Sequence, residues 1–188
     1  MSWPDFPRSL RLLAALGLAA LVAGCFQPMY GDRAMVGSGA TGAGLGNKLA
    51  SVEVVPINAP QGTRLARLGV SVRDELIFAL TGGGAKAATN YLLKVQMWSS
   101  NLQVIVDINT ARPDIQNYGI DASYTLTDVT TGQVVVTGTT FSRVSYNIPG
   151  QQQRFAGDRG LRDAENRAAS VIVESIRNRL ASYFVAGT

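Results

Sequence analysis

From Gly62 to Leu80 the apolar residues Leu65, Leu68, Val72, Leu76 and Ala79 or Leu80 recur at helical spacing, with Arg64, Arg67, Arg73, Asp74 and Glu75 between them. This predicts an amphipathic helix with one buried stripe. Gly82-Gly83-Gly84 ends it. A second helix is predicted from Gly157 or Asp158 to Phe184, with Asp158 as candidate N-cap. Its stripe is Leu161, Ala164, Ala168, Val171/Ile172, Ser175/Ile176, Arg179/Leu180 and Tyr183. Arg177 and Arg179 near its end suit the helix dipole.

The segments between these helices alternate with period two, the mark of strands with one buried face. Ser51 to Pro56 is a short strand that the proline ends. Tyr91, Leu93, Val95 and Met97 face one way, and Leu92, Lys94, Gln96 and Trp98 the other. From Leu102 onward the apolar parity switches, so Ser99 to Asn101 is either a bulge in one long strand or a hairpin turn. Thr110 to Asp114, with Pro113, reads as a turn. Tyr118, Ile120, Ala122, Tyr124 and Leu126 then alternate against Asp121, Ser123, Thr125 and Thr127. Thr130 to Gln133 is a turn, and Val134 to Tyr146 is the return strand. The expected fold is α+β, with two helices packed on one face of a mainly antiparallel four-stranded sheet, in the order β-α-β-β-β-α. The opposite sheet face is polar and mixed. Lys94 and Trp98 from one strand share it with Phe141 and Arg143 from another, and exposed aromatics near cations are what a binding surface uses.

The N-terminus has a different pattern. Arg8 and Arg11 precede an apolar run from Leu12 to Val22, and then come Ala23, Gly24 and Cys25. This is a secretory signal ending in a lipobox, with cleavage between Gly24 and Cys25 and lipid attached to the Cys25 thiol. The run is too short to span a bilayer, which takes about 20 apolar residues. Two or three acyl chains anchor stably where one is marginal. Phe26 stands where an inner-membrane retention signal would have Asp, which points to the outer membrane. Residues 26–50 are rich in glycine (Gly31, Gly37, Gly39, Gly42, Gly44 and Gly46) and have no hydrophobic period. A flexible coil of this length spans about 27 Å. The expected organisation is a signal peptide over 1–24, a lipid-attached tether over 25–50 and one domain over 51–188.

Composition narrows the chemistry. The chain has 188 residues, net charge +4, one cysteine and no histidine. Without histidine there is no Ser-His-Asp or Cys-His catalysis, and most zinc and haem sites are ruled out. Asp74 and Glu75 are adjacent and share no helix face, while Asp121 and Asp128 fall on opposite faces of one strand. No nucleophile motif is present, so the expectation is a non-enzyme with no cofactor and no metal. The mild positive charge does not call for nucleic acid, but it suits an anionic partner.

Several stretches resemble a known family. Cys25 followed by Phe26-Gln27-Pro28-Met29-Tyr30-Gly31 is similar to the "Cys, hydrophobic, x, Pro-Leu-Tyr" start of the alphaproteobacterial lipopolysaccharide-assembly lipoproteins, the LptE family. Ala122 to Asp128, Thr131-Gly132-Gln133 and Ser145-Tyr146-Asn147 resemble that family's "Tyr-x-Leu-x-Asp … Thr-Gly … Ser-Tyr-Asn" hairpin. Asp163-Ala164 and Arg167-Ala168-Ala169 match the Ala- and Arg-rich look of its closing helix. The resemblance implies a tight partnership with a large outer-membrane β-barrel, the lipopolysaccharide-assembly protein, whose lumen such lipoproteins plug. It also implies help in assembling that barrel and delivering lipopolysaccharide to the outer leaflet. The family's two helices on a four-stranded sheet agree with the periodicity and favour the bulge at Ser99 to Asn101. Basic contact residues do not carry over by motif. Strand parity and charge instead select Lys94 and Arg143 for lipid A phosphates or acidic groups of the barrel.

Overall fold

Leu68, Val72, Leu76 and Leu80 are all buried, as their spacing predicts. They lie on the second helix of a computed structural model that describes residues 44–107, 112–147 and 154–186. The elements in order are α1 (Leu45–Ala50), β1 (Val52–Val54), α2 (Arg64–Thr81), β2 (Tyr91–Asp107), β3 (Arg112–Asp128), β4 (Val134–Asn147) and α3 (Arg154–Ala186). The strands form one sheet in the order β1-β2-β3-β4. It is mixed: β1 runs parallel to β2, while β2, β3 and β4 are antiparallel neighbours.

Local chemistry sets the ends of α2. The Thr63 hydroxyl accepts from the Ala66 amide at 3.2 Å, an N-cap. Gly82, at φ 63°, donates its amide to the Phe78 carbonyl and stops the helix in a left-handed cap. The turn between β3 and β4 is built by Asp128, whose Oδ1 accepts from Thr130 and Thr131 at 2.8 and 3.0 Å. Gly132 supplies the positive φ of 68° there.

The core lies between the helices and one sheet face. Leu93, Val95 and Met97 of β2, Tyr118, Ile120, Ala122, Tyr124 and Leu126 of β3, and Val136 of β4 point into it. Ala164, Ala168, Ile172, Ile176 and Leu180 of α3 complete it. Each fully buried Leu or Ile there contributes about 1.5–3 kcal/mol. Hydrogen bonds from Ser170 Oγ to Glu75 Oε1 (2.8 Å) and from Thr140 Oγ1 to Ser175 Oγ (2.9 Å) tie α3 to α2 and to β4.

Four expectations change. Residues 45–50, expected to belong to the tether, form the six-residue α1, which buries Leu45 and Leu49 in the core. Neighbouring glycines mask so short a stripe in the sequence. The closing helix starts by Arg154, so Asp158 lies inside it and is no cap. Gly160 also lies inside that helix, where a Cβ would be 3.4 Å from the Asn147 carbonyl, at van der Waals distance from the end of β4. Ser99 to Asn101 is neither bulge nor turn. The register runs evenly through Ser99↔Ile120, Ser100↔Gly119 and Asn101↔Tyr118, and shifts only between Gln103 and Val106. Finally, Arg112 to Asp114 already belong to β3: Arg112 pairs with Asp107 and Pro113 with Val106, and the register skips Asp114 where it shifts, a place that tolerates the missing N–H of Pro113.

Candidate functional site

Helices cover one face of the sheet, and the other carries the residues singled out from strand parity. Successive residues of a strand alternate faces, so the buried Leu93, Val95 and Met97 force Leu92, Lys94, Gln96 and Trp98 outward. The register then builds rows across this outer face. Trp98 lies opposite Asp121, and Asp121 opposite Phe141. One row further along the strands are Ser100, Gly119 and Arg143, and beyond them Leu102, Asn117 and Ser145. Trp98, Leu102 and Phe141 are 54%, 60% and 68% exposed, so the face presents large apolar groups to its surroundings. The parity switch at Leu102 therefore has a simple cause: the outer face has an apolar patch of its own.

Arg143 is the most heavily engaged side chain of this face. Its Nη2 donates to both Asp121 carboxylate oxygens at 2.8 and 2.9 Å, and its Nη1 to the carbonyls of Ile120 and Ser142 at 3.2 and 3.0 Å. Its guanidinium carbon stands 5.6 Å from the centre of the Phe141 ring, a cation–π contact. Gly119 makes this possible, because a Cβ there would come within 2.8 Å of Arg143 Cδ. What sequence reasoning missed is that Asp121 pairs with Arg143 and that Gly119 leaves room for it. The cross-strand register that joins them to Arg143 is not written in either strand alone.

Lys94 and Arg143 share the face but not a site. Lys94 is in the row of Thr125 and Thr137, Arg143 in that of Ser100 and Gly119. Six residues of strand rise separate these rows by about 20 Å. A single phosphate cannot bridge the two. Lys94 is exposed and has no hydrogen-bond or ion-pair partner among the described residues. Gly24 and Cys25 lie outside the described residues, within which no helix is long and apolar enough to cross a membrane. Among the same residues no group of three acidic, histidine or cysteine side chains could hold a metal.

A family model described as LptE, lipopolysaccharide-assembly, matches residues 49–180. A solved lipoprotein of Caulobacter crescentus CB15 is similar over 78% of this chain and 98% of its own, at 22% identity and a TM-score of 0.59. A minor lipoprotein of Acinetobacter baumannii is similar over 70% of this chain and 95% of its own, at 12% identity and a TM-score of 0.45. The rare lipoprotein B of Shewanella oneidensis is similar over 72% and 96%, at 11% identity and a TM-score of 0.42. No curated protein matches the chain in sequence.

Proposed function

Because the chain belongs to the LptE lipopolysaccharide-assembly family, we propose that it is an outer-membrane lipoprotein whose outer sheet face docks on a large β-barrel lipopolysaccharide-assembly protein. The family is one of non-enzymatic envelope lipoproteins. In this reading Cys25 carries the lipid, and the glycine-rich segment after it lets the domain reach its partner. The domain plugs the barrel, aids its assembly and supports delivery of lipopolysaccharide to the outer leaflet.

The observation that supports docking is the Trp98–Phe141 row on a sheet face that no helix covers among the described residues. Rigid, amphipathic aromatics on a strand scaffold are the residues that dominate binding energy at protein interfaces. The Arg143–Asp121 pair holds Phe141 in place, while Lys94, without a partner among the described residues, offers its ammonium to an acidic group of the barrel or a lipid A phosphate.

A photo-crosslinking amino acid at position 98 or 141, in living cells, tests this. The expected adduct is with a large outer-membrane β-barrel. Adducts only with other envelope proteins, or none from either position, would contradict docking through this face and favour a scaffold module outside lipopolysaccharide export.

A further inference from the structure

A second polar feature lies on the opposite side of the sheet, between the two long helices. Glu165 of α3 is 1% exposed. Its Oε2 accepts from Arg67 Nη2 of α2. Its Oε1 is buried with no hydrogen-bond partner among the described residues. Leaving a buried carboxylate oxygen unmet is costly, and native structures seldom do so without a ligand, water or function to explain it.

Glu165 also lines a cleft of about 170 Å³, together with Arg64, Arg67, Asp158, Leu161 and Arg162. Helical spacing builds it. Arg64 and Arg67 are three apart on α2, and Asp158, Leu161, Arg162 and Glu165 follow the i, i+3, i+4, i+7 pattern on α3. The helices run in the same direction, since Arg67 meets Glu165 and, further along both, Glu75 meets Ser170. The N-terminus of α2, which begins at Arg64, therefore adds positive potential at the cleft. Arg64 and Arg162 have no hydrogen-bond or ion-pair partner among the described residues. The cleft thus offers guanidiniums for anionic oxygens beside a buried acceptor that wants a donated hydrogen. A carboxylate ligand supplies only the first half of that match. A phosphate monoester supplies both, because its anionic oxygens take the fork-shaped guanidiniums and its P–OH, or a neighbouring hydroxyl, donates to Glu165.

We propose that the cleft between α2 and α3 binds a phosphate monoester, with Arg64 and Arg162 on its anionic oxygens and Glu165 Oε1 accepting a hydrogen from it. The proposal does not depend on the barrel partner, since the cleft and the outer face are on opposite sides of the sheet. The bearer of the phosphate is either a soluble sugar phosphate or a lipid headgroup.

Calorimetric titration of the full chain, purified in detergent, with glucose 1-phosphate and with dihexanoyl phosphatidic acid tests the site and separates the sources. Binding of the sugar phosphate alone identifies a sugar-phosphate site, and binding of the lipid identifies a headgroup site. Arg64→Ala and Arg162→Ala should each weaken binding about tenfold or more. Both residues are exposed and have no hydrogen-bond or ion-pair partner among the described residues, so the fold should persist, which thermal melts check. Glu165→Gln keeps an acceptor for Arg67 but replaces Oε1 with a donor. The proposal predicts weaker binding for this variant, whereas general electrostatic attraction predicts tighter binding, because a negative charge is removed. Failure of both probes to bind, indifference to the arginine changes, or tighter binding by Glu165→Gln would overturn it. Barrel copurification by the same variants, which the proposal leaves unchanged, keeps this outcome distinct from that of the outer face.

Discussion

Gly138 stands opposite Tyr124 in the β3–β4 register, and a Cβ on it would fall 2.6 Å from the Tyr124 ring carbon that bears the hydroxyl. The tyrosine ring, 5% exposed, fills the space a side chain would occupy. Gly138→Ala should therefore destabilise the domain by about 1–3 kcal/mol through overpacking. Gly46→Ala, in α1 with open space around its Cβ, should be neutral or stabilise by up to about 1 kcal/mol. Urea denaturation of the two variants checks the contrast, and equal effects would contradict the packing described. Legibility at this scale was partial. Strand parity placed Lys94, Trp98, Phe141 and Arg143 on one face from sequence alone. It could not show that Arg143 is held by Asp121 over Gly119, because that contact depends on the register between strands.

Elements with long periods were readable, and short or doubly apolar ones were not. The stripe of α2 spans several turns, so Leu68, Val72, Leu76 and Leu80 identified their own face. α1 has one pair, Leu45 and Leu49, among glycines, too little pattern to separate from a tether. Its burial carries a clear consequence: Leu49, 2% exposed, should cost about 2–5 kcal/mol when changed to Ala, the usual range for a core leucine. A change within a solvated tether would cost nothing measurable, so chemical denaturation of Leu49→Ala discriminates between the two. β2 misled for another reason. Parity reading assumes one apolar face, and Leu102 joins Trp98 on the outer face instead, mimicking a bulge where pairing is regular. At α3 the glycines Gly157 and Gly160 read as a late helix start, although both lie inside the helix.

Among the described residues, helices seal one sheet face and leave the other open. Sealing has a titration signature. Burial raises the phenol pKa values of Tyr91, Tyr118, Tyr124 and Tyr146 above 10. The native state then holds protons that the unfolded chain releases above about pH 10, so this stabilisation is complete below that pH and is lost as pH climbs through the native values. Thermal melts should be insensitive to these groups up to about pH 10 and fall beyond it, with phenolate absorbance rising as the fold is lost. Phenolate forming at the ordinary pH in a folded domain would contradict the burial. In the proposed function, helices stabilise the sheet from behind while its exposed aromatics meet the barrel. The most direct measurement is affinity purification of the tagged chain from detergent-solubilised outer membranes, with the bound proteins identified by mass spectrometry. A large β-barrel in stoichiometric amount is the predicted result. An eluate without such a barrel, whether empty or carrying another envelope protein, would contradict it.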